Sequence, residues 1–125
     1  MNPLKAIMQQ AVMGMGVEQR RITLASENIS NADTPGYQRK LLMVEPSPSD
    51  QFQQMRVALD QAPGERLYEP SNPMADADGY VTKSNVSLVM EMADMREANR
   101  TYEANLNSLQ QARTMYRSLL DILRR

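Results

Sequence analysis

Proline placement divides this chain of 125 residues into three parts. Six of the seven prolines lie between residues 34 and 85, and the seventh, Pro3, is where the first turn of a helix tolerates it. Proline in a helix interior removes a hydrogen bond and clashes with the preceding turn, so only the two flanks are suited to long helices. We therefore expect a helix in 1–33, an extended, β-hairpin-like, proline-rich middle segment at 34–85, and a second helix in 86–125.

The first flank carries apolar residues at alternating steps of four and three. Seven of eight such positions are apolar, which is typical of a helix that presents a narrow stripe to another helix. Gly14 and Gly16 each cost about 1 kcal/mol relative to alanine in a helix interior. They mark either a weak point of a surface helix or close approach by a neighbouring chain. The eight stripe positions are Leu4, Met8, Ala11, Met15, Glu18, Ile22, Ala25 and Ile29.

The last flank repeats this spacing over five heptads, and Asn85 and Ser87 are N-cap candidates just before it. At 1.5 Å per residue, a helix from 86 to 123 would be about 57 Å long. Asn99 and Arg113 interrupt the stripe; either they fix the register of helix pairing, or the stripe rotates so that both face water. The stripe positions are Leu88, Met92, Met95, Asn99, Tyr102, Leu106, Leu109, Arg113, Tyr116, Leu120 and Leu123.

The two stripes predict a mainly α chain whose terminal helices pair as a coiled-coil-like inner domain. Faces outside the stripes retain Met, Ile and Val, and their association with identical neighbours is favourable at about 25 cal/mol per Å² buried. With so few aromatic residues, we expect the isolated chain to be only partly ordered and to gain its fold on assembly. The predicted assembly-interface residues are Leu4, Met8, Met15, Ile22, Asn28, Ile29, Asn31, Leu88, Met92, Met95, Asn99, Tyr102, Leu106, Leu109, Tyr116 and Leu120.

The middle segment has a less regular pattern. Residues 41–44 form a short apolar run, which Pro46 follows. Residues 51–61 are compatible with one or two helical turns, and residues 79–82 with a strand that pairs back on 37–44. We expect extended, hairpin-like segments rather than a packed sheet.

Residues that carry chemistry are sparse. The chain has neither cysteine nor histidine, so disulfides and thiolate sites are excluded and the commonest general base is absent. The net charge is −1 without a basic stripe, which argues against a nucleic-acid partner. No apolar stretch approaches the roughly 20 residues of a membrane span, and the N-terminus lacks the apolar region of a signal peptide.

The acidic residues offer only weak signs of a catalytic or metal site. An Asp-rich loop resembles a calcium site, but its first ligand position is Met74 and its last is Asn85, where a glutamate is required. Glu91, Asp94 and Glu97 follow one another at helical spacing. A thin helical protein offers no pocket that would raise a carboxyl pKa, so we interpret them as solvated charge networks. We expect no enzymatic activity, no cofactor and no metal.

Residues 24–37 read Leu-Ala-Ser-Glu-Asn-Ile-Ser-Asn-Ala-Asp-Thr-Pro-Gly-Tyr. This stretch resembles the N-terminal signature of the bacterial flagellar axial proteins, the family of rod, hook and hook-associated subunits. That signature reads roughly Ser-x-Asn-Ile/Leu-Ala-Asn-x-x-Thr-x-Gly-Tyr. The chain departs from it at Ser30, where the family usually has alanine.

A second match consists of three pieces, 73–81, 84–92 and 100–105. Together they look like the C-terminal half of the proximal rod members of that family. The resemblance covers about residues 4–37 and 73–123.

The resemblance implies a non-enzymatic subunit of the flagellar rod, with no small-molecule substrate. Such a subunit is exported without cleavage through the flagellar type III secretion apparatus and polymerises helically with itself and other rod proteins across the periplasm. Both termini would pair as the helical inner domain that lines a hollow shaft. The alternatives that stay open are another axial rod protein and a helical export adaptor or chaperone.

The stretch after the first helix is interpreted as a joint. Pro35 and Gly36 suit the second and third positions of a type II turn, where glycine supplies the positive φ. Asn28 and Asn31 lie at the helix end. There, their amides either satisfy unpaired backbone groups or bind another helix or subunit.

Overall fold

The structure is a computed structural model that describes residues 2–46 and 53–124. The part of the expected middle segment at 47–52 lies outside the described residues. The chain is mainly helical, as predicted, with a long helix on each side of a strand-containing segment. Its elements are α1 (Pro3–Ser30), β1 (Lys40–Pro46), β2 (Gln53–Leu59), β3 (Arg66–Tyr68), β4 (Tyr80–Thr82) and α2 (Leu88–Leu123).

Both helices begin at capping residues. Asn2 precedes α1, and its Oδ1 accepts a hydrogen bond from the backbone N–H of Leu4 at 2.9 Å, while Pro3 occupies the first turn. Ser87 precedes α2, and its hydroxyl oxygen accepts from the backbone N–H of Met90. Helix α2 has 36 residues against 28 for α1 and is about 54 Å long. Within the described residues, neither helix is both long and apolar enough to cross a membrane.

The two helices pack against each other in antiparallel directions. At one level, a Cβ added to Gly14 of α1 would lie 2.6 Å from Nδ2 of Asn105 of α2. At another level, residues 18–28 of α1 line a cleft together with residues 91–101 of α2. Gly14 therefore marks close approach by the chain's own second helix. In an antiparallel pair, the approach of Gly14 to Asn105 places Pro3, at the start of α1, beside Tyr116. The last turns of α2 therefore extend past α1.

Four alanines are among the buried residues of the helix pair. Ala11 and Ala25 of α1 and Ala98 and Ala112 of α2 are each only 3–5% exposed. Such small side chains allow the two backbones to lie close together, because the distance between helix axes depends on the side chains at the contact. All eight positions of the predicted α1 stripe are buried or half-buried.

The predicted α2 stripe needs a correction. The alanines at 98 and 112 are buried one position before Asn99 and Arg113, so α2 is rotated relative to the predicted heptad register. Asn99 and Arg113 consequently face water and do not fix the pairing. The exposed stripe positions are Leu88, Met92, Asn99, Arg113 and Leu123.

Strands β1 and β2 form an antiparallel hairpin in which Lys40 is opposite Leu59. The expectation of helical turns within 51–61 is therefore wrong for its described part. Met55 and Val57, together with Leu59, alternate with less apolar residues, and this period of two is that of a strand.

Strands β3 and β4 form a second two-stranded antiparallel sheet, with Arg66 opposite Thr82 and Tyr68 opposite Tyr80. The expected pairing of 79–82 with 37–44 is therefore wrong. Aromatic contacts favour the observed partner: the rings of Tyr68 and Tyr80 meet edge to face at 5.3 Å, and the guanidinium of Arg66 lies 4.7 Å from the Tyr80 ring centre.

Gly64 lies where two backbone segments approach each other closely. A Cβ added to Gly64 would be 1.9 Å from the carbonyl oxygen of Lys83, a backbone atom that cannot rotate away. We expect Gly64→Ala to lower the free energy of unfolding by about 2 kcal/mol because the segments must separate. Gly16→Ala is the matched control: it meets no atom within 4 Å and should raise stability by about 1 kcal/mol through helix propensity. Urea unfolding followed by circular dichroism measures both, and equal midpoints for Gly64→Ala and the parent chain would contradict the steric argument.

Candidate functional site

Asn28 links the end of α1 to the start of β1. Its side chain is buried, with only 1% of the residue exposed. Nδ2 donates to the carbonyl oxygen of Lys40 at 3.1 Å, and Oδ1 accepts from the Lys40 N–H at 2.9 Å and from the Tyr37 hydroxyl at 2.9 Å. The amide satisfies both backbone groups of Lys40, as a neighbouring strand would. Asn28 therefore makes these bonds within its own chain.

The turn between α1 and β1 has the geometry of a type II turn. Gly36 has a φ of +74°, and the Tyr37 N–H donates to the carbonyl oxygen of Thr34 at 3.2 Å. Asn31 supports the turn from the helix end, since its Nδ2 donates to the carbonyl oxygen of Glu27 at 2.9 Å and its Oδ1 accepts from the Thr34 hydroxyl at 3.1 Å.

Arg39 connects the segment after this turn to α2. Its Nε donates to the carboxylate of Glu91, and its Nη2 donates to Asp94 at 2.7 Å. Burial disfavours the charged guanidinium, but the hydrogen bond and charge of Glu91 and the charge of Asp94 outweigh it, so the pKa of Arg39 lies above its ordinary value. Glu91 is 1% exposed. The interpretation of Glu91 as part of a solvated network is therefore wrong.

Asn85 joins three segments, which explains why it does not cap α2. Its Oδ1 accepts from the Arg39 N–H at 2.6 Å, and its Nδ2 donates to the carbonyl oxygens of Asp60 at 3.0 Å and Ala62 at 2.8 Å. Its backbone N–H donates to the carbonyl oxygen of Tyr37 at 3.3 Å. One amide side chain thus holds the residue before β1, the residues after β2 and the approach to α2 together.

Two further hydrogen bonds connect the turn to the segment before α2. The Gly36 N–H donates to the carbonyl oxygen of Thr82 at 3.0 Å, and the Ser84 hydroxyl donates to the carbonyl oxygen of Ala32. The end of α1 and the start of α2 are thereby connected through both their backbones and their side chains. We call Asn28, Tyr37, Arg39, Asn85 and Glu91 the polar joint.

An ion pair lies on the outside of the polar joint. Nζ of Lys40 is 2.9 Å from Oε2 of Glu27. This hydrogen bond holds the pKa of Glu27 below its ordinary value and raises the pKa of Lys40. Burial raises the pKa of Tyr37, which lies beside them. Because Glu27 and Lys40 are largely solvated, their attraction orients the strand more than it stabilises the fold.

The polar joint has the chemistry of a structural connection. In the ranges 2–46 and 54–124, no buried side-chain nitrogen or oxygen lacks a hydrogen-bond partner. The carboxylates of Glu91 and Asp94 both bind the guanidinium of Arg39. A cleft of about 310 Å³ lies between α1, α2 and β1, so the expectation that a thin helical protein offers no pocket is wrong. Residues of both charges line it, including Glu18, Glu97 and Arg21.

The predicted assembly-interface residues fall into three groups, and their role in assembly stays a prediction. Asn28 and Asn31 make the hydrogen bonds described above. Leu88, Met92 and Asn99 are exposed on α2. The half-buried residues of the helix pair are Leu4, Met8, Met15, Ile22, Ile29, Met95, Tyr102, Leu106, Leu109, Tyr116 and Leu120.

Large exposed apolar side chains of α2 lie near its two ends. Between 93 and 114 the exposed residues are polar, charged or alanine. We define the N-terminal patch as Leu88, Val89, Met90 and Met92, which are 49–78% exposed. We define the C-terminal patch as Met115, Leu119, Ile122 and Leu123, which are 49–79% exposed.

Sequence reasoning identified Asn28 but missed its partner Tyr37, and it missed the pair Arg39 and Glu91 as site residues. One feature of the sequence did point to Glu91: it interrupts the apolar run Leu-Val-Met-Glu-Met. A charge inside such a run is a sign of a buried, paired group. Nothing in the local spacing pointed to Arg39, which lies 52 residues away from Glu91.

Two family models match the N-terminal and the C-terminal parts of the chain. Residues 8–38 match the model described as "Flagella basal body rod protein". Residues 77–122 match the model described as "Flagellar basal body rod FlgEFG protein C-terminal". Asn28 and Tyr37 lie in the first match, and Asn85 and Glu91 lie in the second.

Curated relatives extend the similarity over most of the chain. The flagellar basal-body rod protein FlgC of Agrobacterium fabrum is 38% identical, and the alignment covers 99% of this chain and 98% of the relative. FlgC of Salmonella typhimurium is 34% identical over 81% of this chain and 84% of its own length. FlgC of Borreliella burgdorferi is 32% identical over 90% and 93%, respectively.

The resemblance to flagellar axial proteins is thereby confirmed. Within that family, the chain is similar to the FlgC rod proteins. Most of both helices and four of the five residues of the polar joint fall inside rod-protein matches, and the similarity to FlgC runs through the middle segment as well. The chain belongs to the FlgC family of flagellar basal-body rod proteins and is a structural subunit of the basal-body rod.

Proposed function

We propose that the chain is a non-enzymatic subunit of the proximal rod, which polymerises helically with copies of itself and other rod proteins. In this role it transmits torque and contributes to the wall of the export channel. The observation that supports this best is the pair of exposed apolar patches on α2, with side chains up to 79% exposed. Several large apolar side chains exposed near each other on one helix are typical of a surface that another protein covers.

Torque transmission requires that neighbouring parts of a subunit move together. The polar joint connects α1, the β1–β2 hairpin and α2 through partly buried hydrogen bonds. Packed interiors are poorly compressible, so a ring of such subunits resists twisting once neighbours cover the exposed faces.

Family membership supports the remaining parts of the proposal. The subunit is exported without cleavage through the flagellar type III apparatus and takes its place where the rod crosses the periplasm. It needs no cofactor, metal or small-molecule substrate for this role. The helical export adaptor considered from the sequence has no observation in its favour.

Substitution in the helix pair tests the proposed function. Leu106 is half-buried on α2, next to Asn105, the residue that approaches Gly14. Leu106→Asp places a carboxylate against α1, and losing the burial of this side chain costs about 2–3 kcal/mol. We expect cells with this variant to export the chain but to assemble no rods and not to swim. Swimming assays, export assays and electron microscopy of basal bodies measure these effects.

The matched control introduces the same charge on the exposed side of the helix. Asn107→Asp changes the adjacent exposed residue and should leave swimming and rods normal. Motile Leu106→Asp cells with normal rods would refute the assignment of this helix pair to rod assembly.

A further inference from the structure

We propose that the N-terminal patch of α2 is a site of reversible oxidation, at which hydrogen peroxide converts Met90 and Met92 to methionine sulfoxides. The modification prevents another protein from covering the patch. The inference rests on the proposed function, in which neighbours cover the exposed apolar surface of α2 during rod assembly. It adds to that surface a covalent modification that makes assembly sensitive to oxidants.

The first step concerns which side chains an oxidant attacks. The chain contains 11 methionines but no cysteine, tryptophan or histidine. No thiol therefore competes for the oxidant, and the rate at each methionine follows the exposure of its sulfur. In the part of the chain that the structure describes, the exposed methionines are Met43, Met55, Met74, Met90, Met92 and Met115, and the half-buried ones are Met8, Met13, Met15 and Met95.

The second step is that the first turn of α2 holds two thioethers in solvent. Successive residues of a helix are about 100° apart around its axis, so Met90 and Met92 lie on either side of Glu91. The exposed fraction rises around the turn, from 1% at Glu91 to 51% at Met92, 58% at Met90 and 78% at Val89. The Glu91 carboxylate binds Nε of Arg39. Because this buried pair fixes the rotation of the turn, neither methionine can turn towards α1.

The third step is the chemistry of the modification. A lone pair of the methionine Sδ attacks one oxygen of hydrogen peroxide, so that an S–O bond forms and the O–O bond breaks. The departing hydroxide takes the proton of the transferred oxygen and leaves as water. The sulfur loses two electrons and the peroxide gains them, so the step needs no other reactant. Methionine sulfoxide reductases reverse the modification.

The fourth step is that the sulfoxide changes the surface and leaves the fold intact. Met90 and Met92 supply two of the four side chains of the N-terminal patch, and both are exposed. A sulfoxide is polar, and a partner that covers it must remove the water bound to its oxygen. An oxidised subunit therefore keeps its helix pair and its polar joint but no longer docks through this patch.

Mass spectrometry tests the selectivity of the modification. Trypsin cleaves after Lys83 and Arg96 and so releases Met90, Met92 and Met95 in one peptide. Met95 is half-buried and serves as the internal control. We expect brief treatment of the purified chain with hydrogen peroxide to oxidise Met90 and Met92 about tenfold faster than Met95. Fragment spectra of the peptide give the three rates, and equal rates would overturn the selective site.

Glutamine substitution tests the effect on assembly without an oxidant. Met90→Gln together with Met92→Gln places a polar amide at each position, and glutamine matches methionine in helix propensity, so circular dichroism should show parental helix content. We expect electron microscopy to count about tenfold fewer rods, because covering polar groups weakens the contact. Met74→Gln is the matched control, since Met74 is 66% exposed but lies outside both helices, and its rods should be normal.

Leucine substitution tests the dependence on peroxide. Met90→Leu together with Met92→Leu removes both sulfurs at nearly constant side-chain volume. Cells that build new flagella in peroxide are compared with untreated cells of the same strain. We expect peroxide to lower the rod count several-fold in parent and Met74→Leu cells, and by less than about twofold in cells with the double leucine variant. An equal relative loss in all three strains would show that peroxide acts elsewhere and would contradict the proposal.

The failure of this inference differs from the failure of the proposed function. Normal rods in cells with the double glutamine variant would reject the oxidation site and leave the rod assignment standing. Normal rods in cells that lack the chain altogether would reject the proposed function itself.

Discussion

Replacing Glu91 with alanine should lower the free energy of unfolding by about 3–5 kcal/mol, because the substitution removes one partner of a buried ion pair. Glu91 is 1% exposed, and its carboxylate binds Nε of Arg39. Without it, the Arg39 guanidinium, whose side chain is only 19% exposed, keeps Asp94 as an ionic partner. Circular dichroism of the purified parent chain first establishes that both helices form in the free chain, for which only partial order is expected, and urea unfolding then measures the loss.

Asp94 supplies the matched control for Glu91→Ala. It binds the same guanidinium, at 2.7 Å, but its side chain is 51% exposed. Water replaces an exposed partner easily, so Asp94→Ala should cost about 0–1 kcal/mol. If both alanine variants unfolded at the same urea concentration, burial would not be what makes the Glu91 pair important.

Asn28→Ala should lower the free energy of unfolding by about 3 kcal/mol or more. The substitution leaves the N–H and carbonyl of Lys40 and the hydroxyl of Tyr37 without their partner. A buried polar group that loses its partner costs about 1–3 kcal/mol. The same urea titration measures this effect, and we expect swimming to be lost in cells that carry the variant.

Graded variants identify the bonds responsible. Asn28→Asp keeps the oxygen that accepts from Lys40 and Tyr37 but loses the donor to the Lys40 carbonyl, so its effect should be intermediate. Tyr37→Phe removes a single bond and should cost about 1 kcal/mol. Asn107→Ala, on the exposed surface of α2, should be neutral. An Asn28→Ala chain as stable as the parent would show that the buried amide is dispensable.

The helices were predictable because their signals are local. Each flank has a capping residue, an apolar period of 3.5–3.6 residues and no proline beyond the first helical turn, and α1 and α2 form there. The side of α2 that faces α1 was harder to predict. Ala98 and Ala112 are buried there, but alanine contributes little to a pattern of large apolar residues. Hydrophobic spacing favours large residues, whereas close helix packing favours small ones.

The partners of the polar joint and of the strands were not predictable from local patterns. The motif around Asn28 and the turn at Gly36 could be recognised as a joint. The pairing of Arg39 with Glu91 and of β3 with β4 depends on which distant segments the fold brings together. Spacing along the sequence carries no information about such contacts, and several strand registers satisfy the same turn signals.

The polar joint lies at one end of the helix pair, and this position has a consequence for how the free subunit opens. In the described part of the chain, the hydrogen bonds between α1, the middle segment and α2 gather near Asn28 and Glu91. The opposite ends of both helices, near Asn2 and Arg124, lack this reinforcement. Amide hydrogens there should exchange with solvent first, and protection should rise steadily toward the turn at Gly36. Each chain terminus can therefore unravel while the central segments keep their arrangement.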